Sequence, residues 1–152
     1  MNKELENLLK NLSDVLDAED ASLFLVRNTN PDSPFEIISA GRKNILEDLT
    51  IPRGEGIVGW VFEHRQPVIS NDAEKDERFY DVVDMITEGH TKSILAVPIN
   101  YEGRVIGVIE VVNKLGDTQF TEADISKVTE TANAILSHIP QERLNIFKES
   151  GK

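Results

Sequence analysis

The fold turns on residues 93–112, SILAVPINYEGRVIGVIEVV. Its two apolar runs, 93–99 and 104–112, are rich in Val and Ile and are joined by Asn100, Tyr101, Glu102 and Gly103, which predicts an antiparallel hairpin with a four-residue connection. One carboxylate, Glu110, interrupts the second run. Strand alternation gives it the same face as Val108 and Val112, and a carboxylate on an apolar face needs a partner.

Toward the C-terminus, Thr121 stands where it can cap a helix, with Phe120 stapling against Ile125. Ile125, Val128, Ala132, Ile135, Leu136 and Ile139 then repeat by three and four, the spacing of one helical face. Pro140 ends or kinks this helix; 141–152 allows another helical turn, but its polar, glycine-containing end makes 140–152 an expected frayed tail or linker. Toward the N-terminus, 67–70 is a short strand after a short helix in 56–65. Residues 76–87 suggest a second short helix, and a turn of helix is expected near Ile45. Residues 21–27 and 35–40 read as a second hairpin across the turn-forming 30–34. Leu5, Leu8, Leu9, Leu12, Val15 and Leu16 mark an amphipathic first helix whose reverse face is charged. Strands that neighbour one another in sequence predict an α+β layer fold, a central antiparallel sheet with helices on its faces. The stripes of both terminal helices also suit a homodimer.

The chain has 152 residues, enough for one domain, with 39% hydrophobic and 28% charged residues. Its formal charge is -11, which disfavours a nucleic-acid backbone. No apolar run approaches a membrane span and the first residues do not form a signal peptide, so a cytoplasmic compartment is expected. Cysteine is absent, which excludes disulfides, thiolate metal sites and thioether-linked chromophores. His64, His90 and His138 lie on different elements without metal-ligand spacing. No nucleophile elbow, P-loop or GxGxxG sequence occurs, and a metal site or catalytic set is not expected. The run Gly54, Glu55, Gly56, Ile57, Val58, Gly59 is more informative, because the free amides of a helix start can receive an anionic group. Trp60 within that helix is read as a core residue.

Three stretches together, IPRGEGIVGWVFEHRQPVISND, DERFYDVVD and TKSILAVPINYEGRVIGVIEVVNK, resemble the signature run of GAF domains, the sensory modules of phosphodiesterases, histidine kinases and transcription activators. The resemblance implies a single domain over 1–152, with an N-terminal helix in 1–17 and a core in 20–139. It also implies that the terminal helices share one sheet face while short helices cover a ligand pocket on the other. Within the family the chain is most similar to the regulatory domains of cyclic nucleotide phosphodiesterases, whose Asn-Lys, Phe and Asp-Glu motif is matched by Asn113, Lys114, Phe120 and Asp124; Ile125 stands in place of the final Glu. Lys114 and Asp124 would then form an ion pair bracing the pocket, whereas the residues alone equally allow Asp124 to be a helix cap. By resemblance, a cyclic nucleotide would place its phosphate on the amides of Ile57 and Val58. Its base and ribose would meet Ser22, Tyr80, Asp84, Thr87, Thr91 and Glu110.

A carboxylate in the pocket favours guanine, so cGMP is expected over cAMP. Where related binders carry a stacking aromatic followed by a carboxylate, this chain has Ile38, Ser39, Ala40, Gly41 and Arg42. The reading is thus a non-catalytic, dimeric sensor without a covalent cofactor. The alternative is a vestigial-pocket domain that pairs with itself or with a kinase or transcription-activator partner.

Overall fold

The computed structural model describes residues 2–39, 41, 51–79 and 90–150. The expected turn of helix near Ile45 lies outside them. The elements are α1 (Asn2–Val15), β1 (Ala18–Leu25), β2 (Glu36–Ser39), α2 (Gly56–His64), β3 (Val68–Ser70), β4 (Ile94–Tyr101), β5 (Arg104–Lys114), α3 (Glu122–Leu136) and α4 (Gln141–Ser150). The strands form one sheet in the order β2-β1-β5-β4-β3, and each neighbouring pair is antiparallel.

The stripe of α1 is spent inside the chain. Leu5, Leu9, Leu12 and Leu16 are buried where the helix packs on β1 and β2, and each such side chain contributes roughly 1.5–3 kcal/mol on leaving water. On α3, Val128, Ala132 and Ile135 are buried in the same way, with the helix resting on β4 and touching α1. These stripes are therefore core rather than free dimer surface, a correction to the expected interface. Of the α1 stripe, Val15 alone stays well exposed, at 51%.

Other boundaries also moved. β1 begins at Ala18, three residues before the expected start, and ends at Leu25, because Ala18 still pairs with Lys114 at the far end of β5. The β4–β5 connection is two residues long, since Tyr101 pairs directly with Arg104. Glu102 (φ 51°) and Gly103 (φ 79°) both occupy the left-handed region, the backbone that matches the twist of a tight hairpin. Residues 76–79 are not helical, and a 3-10 turn at Ala73–Lys75 precedes them; the rest of the helix expected to 87 falls outside the described residues. The stretch after Pro140 is not a frayed tail but a helix, α4, that buries Leu144 and Phe147. Its Arg143 pairs with Glu36 of β2. No helix among the described residues is long and apolar enough to cross a membrane.

Candidate functional site

Register decides the floor of the site. Across the five strands one line of paired residues reads Ser39, Ser22, Glu110, Ala96, Val68. Their side chains share a face, and three of the five are no larger than serine. Beside this line, Phe24, Val108 and Pro98 form an apolar row. Phe24 meets Phe35 edge-on at 6.1 Å, and Phe35 meets Phe62 of α2 at 5.4 Å. The small-residue line thus belongs to the face covered by α2, opposite α1 and α3. Small side chains at the centre of a covered sheet leave room above it, and Glu110 is the long polar side chain of this line.

A second carboxylate lies next to it. Asp20 pairs with Val112, one alternation along from Ser22, and is buried. Its Oδ2 accepts from the Ser39 hydroxyl at 3.0 Å and its Oδ1 from the Gly41 amide at 3.0 Å. The sequence reading missed Asp20, because alternation over ASLFLVR started one residue too late to include it. Ser22 and Thr91 are also buried, with Thr91 just ahead of β4.

The first turn of α2 has the geometry of an anion receptor. Gly59 N–H makes the first helical bond, to Glu55 O at 3.1 Å, and the Glu55 side chain caps nothing. The amides of Ile57 and Val58 therefore lead the helix with no cap, where the dipole is positive. Both side chains are buried, anchoring the turn. Trp60 packs against the core, as expected, without being fully enclosed by it. It is only partly buried, stacks on His64 at 4.0 Å, and has the Arg78 guanidinium 5.0 Å from its ring centroid. Arg78 in turn binds both oxygens of Asp76, and this guanidinium holds the Asp76 carboxyl far below the usual carboxylate range.

Asn113 and Lys114 close the end of the sheet nearest Thr91. Asn113 has φ 58°. Its Oδ1 accepts from the amides of Lys92 (2.6 Å) and Ser93 (3.2 Å). Its Nδ2 donates to His90 O and to Glu19, each at 2.9 Å. Lys114 Nζ donates to Asp124 Oδ2 at 3.2 Å, and the two side chains are each only 14% exposed. The same Oδ2 accepts the Thr121 amide at 3.0 Å, so the ion-pair and helix-cap readings of Asp124 are both true. Phe120 is buried, with its main chain held by both amide atoms of Asn71. Thus the structure brings Ser22 and Glu110 side by side, and puts Ile57 and Val58 on the helix above their face. Tyr80, Asp84 and Thr87 lie outside the described residues.

The GAF domain family model matches residues 1–139. The chain belongs to the GAF family. Among curated GAF-bearing relatives, it is 38% identical over 120 residues to the dual 3',5'-cyclic-AMP and -GMP phosphodiesterase 11A of Takifugu rubripes, covering 72% of this chain and 13% of that protein. It is 33% identical over 143 residues to the human rod cGMP-specific 3',5'-cyclic phosphodiesterase subunit alpha, covering 86% of this chain and 17% of that one. This GAF domain therefore spans less than a fifth of those relatives. In fold it is similar to the GAF domain of a phosphoenolpyruvate-protein phosphotransferase from Coxiella burnetii, with a TM-score of 0.81 at 20% identity over 95% of this chain and 84% of that one.

The Lys114–Asp124 pair yields a direct test. Lys114→Met is expected to cost about 2 kcal/mol, between the values for exposed and fully buried pairs, because it strands a mostly buried carboxylate. Asp124→Asn keeps an oxygen for the Thr121 amide, so the double variant should cost clearly less than the sum. Denaturant melts of the four proteins measure this coupling; additivity would show that the pair contributes nothing beyond the cap.

Proposed function

We propose that this GAF domain is a non-catalytic sensor that binds a small anionic ligand, a cyclic nucleotide, with cGMP preferred over cAMP. The observation that carries the reading is the line of small side chains around Glu110, under a helix whose leading amides are uncapped. A phosphate at Ile57 and Val58 would put the attached base over the sheet. Glu110 can accept from the paired N–H donors of guanine, whereas adenine sets a ring acceptor against it. Relatives named for cGMP alone and for both cyclic nucleotides are similar to this chain at 33% and 38% identity, so the preference for guanine rests on Glu110.

The mismatch with adenine is worth about 1–3 kcal/mol. Calorimetry of the domain with each cyclic nucleotide is expected to show tighter binding of cGMP, and Glu110→Gln is expected to shrink the difference. Absence of heat and of any thermal shift with either nucleotide at millimolar concentration would exclude the sensor reading.

One observation favours a second reading. Ser39 and Gly41, in the region where related binders carry a stacking aromatic, are bonded to the buried Asp20, so a polar network replaces a stacking surface worth about 1–3 kcal/mol per base. In this reading the pocket is vestigial and the domain pairs with itself or with a kinase or transcription-activator partner. Any self-pairing uses the outer flanks of α1 and α3, around Leu8, Val15 and Leu136. Light scattering of the protein and of Val15→Glu tests that interface: a dimer that the substitution leaves intact would rule it out.

A further inference from the structure

At the end of the sheet opposite Asn113, a two-lobed groove gathers positive charge in a chain of formal charge -11. The first lobe, about 540 Å³, lies between the loop after β1, Arg53, the end of α2 and Phe147 of α4. The second, about 490 Å³, shares Arg65, Arg104 and Phe147 with it and runs on to Lys148. Four of the chain's 16 basic residues line the two lobes, against Glu63 and Glu102. Glu102 is already 3.6 Å from Lys148.

Among the described residues, two of these cations have no anionic partner. Arg65, the left-handed C-cap of α2, is exposed and pairs with no carboxylate among the described residues. Arg53 donates through Nη2 to Asn28 O at 2.9 Å, while its Nε is buried without any acceptor. Burial also weakens the hold of Arg53 on its proton. A countercharge in the groove would stabilise a cation partly stripped of water.

We propose that this groove docks an acidic, apolar-punctuated peptide segment of a partner protein. Phe62 and Phe147 give the first lobe apolar walls between the arginines, surface that a lone phosphate would leave uncovered and that side chains of a peptide would bury. A second copy is disfavoured as the occupant, because two chains of charge -11 repel. The location adds a functional consequence: Arg53 lies on the loop feeding the first turn of α2 and Arg65 caps the last. Occupation of the groove thus grips both ends of the helix that leads the candidate ligand site.

Fluorescence anisotropy with a short labelled peptide of alternating Glu and Leu or Phe, and its Lys-for-Glu counterpart, tests the proposal on the full chain. The acidic peptide alone is expected to bind saturably and to weaken with salt. Arg65→Glu, at an exposed position and with its melting temperature checked, should weaken it about tenfold, equivalent to about 1.4 kcal/mol; Glu63→Gln should strengthen it. No saturable binding, or equal affinity for Arg65→Glu, would overturn the proposal. So would complete displacement by pyrophosphate, which would assign the groove to a small anion, or self-association abolished by Arg65→Glu, which would assign it to a second copy. Because cGMP is absent from the assay, neither outcome depends on the ligand reading.

Discussion

Gly59→Ala is expected to destabilise the domain by about 3 kcal/mol and to abolish the anion binding proposed for the first turn of α2. A Cβ at position 59 would stand 2.6 Å from Arg53 O and 2.7 Å from the Gly54 carbonyl carbon. Both are main-chain atoms, so no side-chain rotation relieves the contact, and overpacking of this kind costs about 1–3 kcal/mol, occasionally more. The displaced backbone is the same one that aims the amides of Ile57 and Val58, and even a small shift there spoils an anion site made of N–H groups alone. Urea melts report the stability loss, and calorimetry at a temperature where the variant remains folded reports binding. A variant that melts like the parent would show that the 53–54 loop yields freely. If it also bound cyclic nucleotide normally, the first turn of α2 would not be the phosphate site.

A comparable loss, about 3 kcal/mol, is expected for Asn113→Ala. Truncation leaves the part-buried amide of Ser93 and the exposed amide of Lys92 without the oxygen they now share, each costing toward the low end of the about 1–3 kcal/mol of a buried, unmet donor. It also asks alanine to hold φ 58°, a conformation that asparagine and glycine tolerate better. Two further variants separate these causes. Asn113→Gly removes the backbone strain but none of the lost hydrogen bonds, so it should recover at most about 1–2 kcal/mol. Asn113→Asp keeps the acceptor for the two amides but sets a carboxylate against Glu19, so stability should fall less in high salt. Full recovery in Asn113→Gly would mean that the clamp on 90–93 contributes little. Because Thr91 lies inside the clamped segment, the alanine variant should also bind ligand more weakly than its stability loss alone explains.

The elements themselves were readable from local chemistry. Leucines at 5, 9, 12 and 16 can only gather on one side of a helix, and the Val and Ile runs of 94–112 can only alternate across a sheet. Glu110 could be assigned to a face from its neighbours for the same reason. The cap at Thr121 followed from residue types three apart. These are short-range periodicities, and a sequence carries them without reference to anything distant.

What faced the stripes was a different matter. A three-and-four repeat is the same whether a helix covers its own sheet or another chain, so the burial of α1 and α3 against β1, β2 and β4 had to come from packing. The same holds for α4, whose polar residues suggested a tail until Leu144 and Phe147 met the core. Pairing register across the sheet aligned Ser39, Ser22, Glu110 and Ala96, four residues spread from position 22 to position 110, into one floor; no local pattern encodes that alignment. The motif singled out Asn113 without giving it a task, and its role as a clamp exists only because the 90–93 backbone returns beside it. Arg53, Arg65, Arg104 and Lys148 come from separate segments of the chain. Electrostatic fields add through space rather than along the sequence, so a basic groove on an acidic protein could be decided only by the tertiary structure.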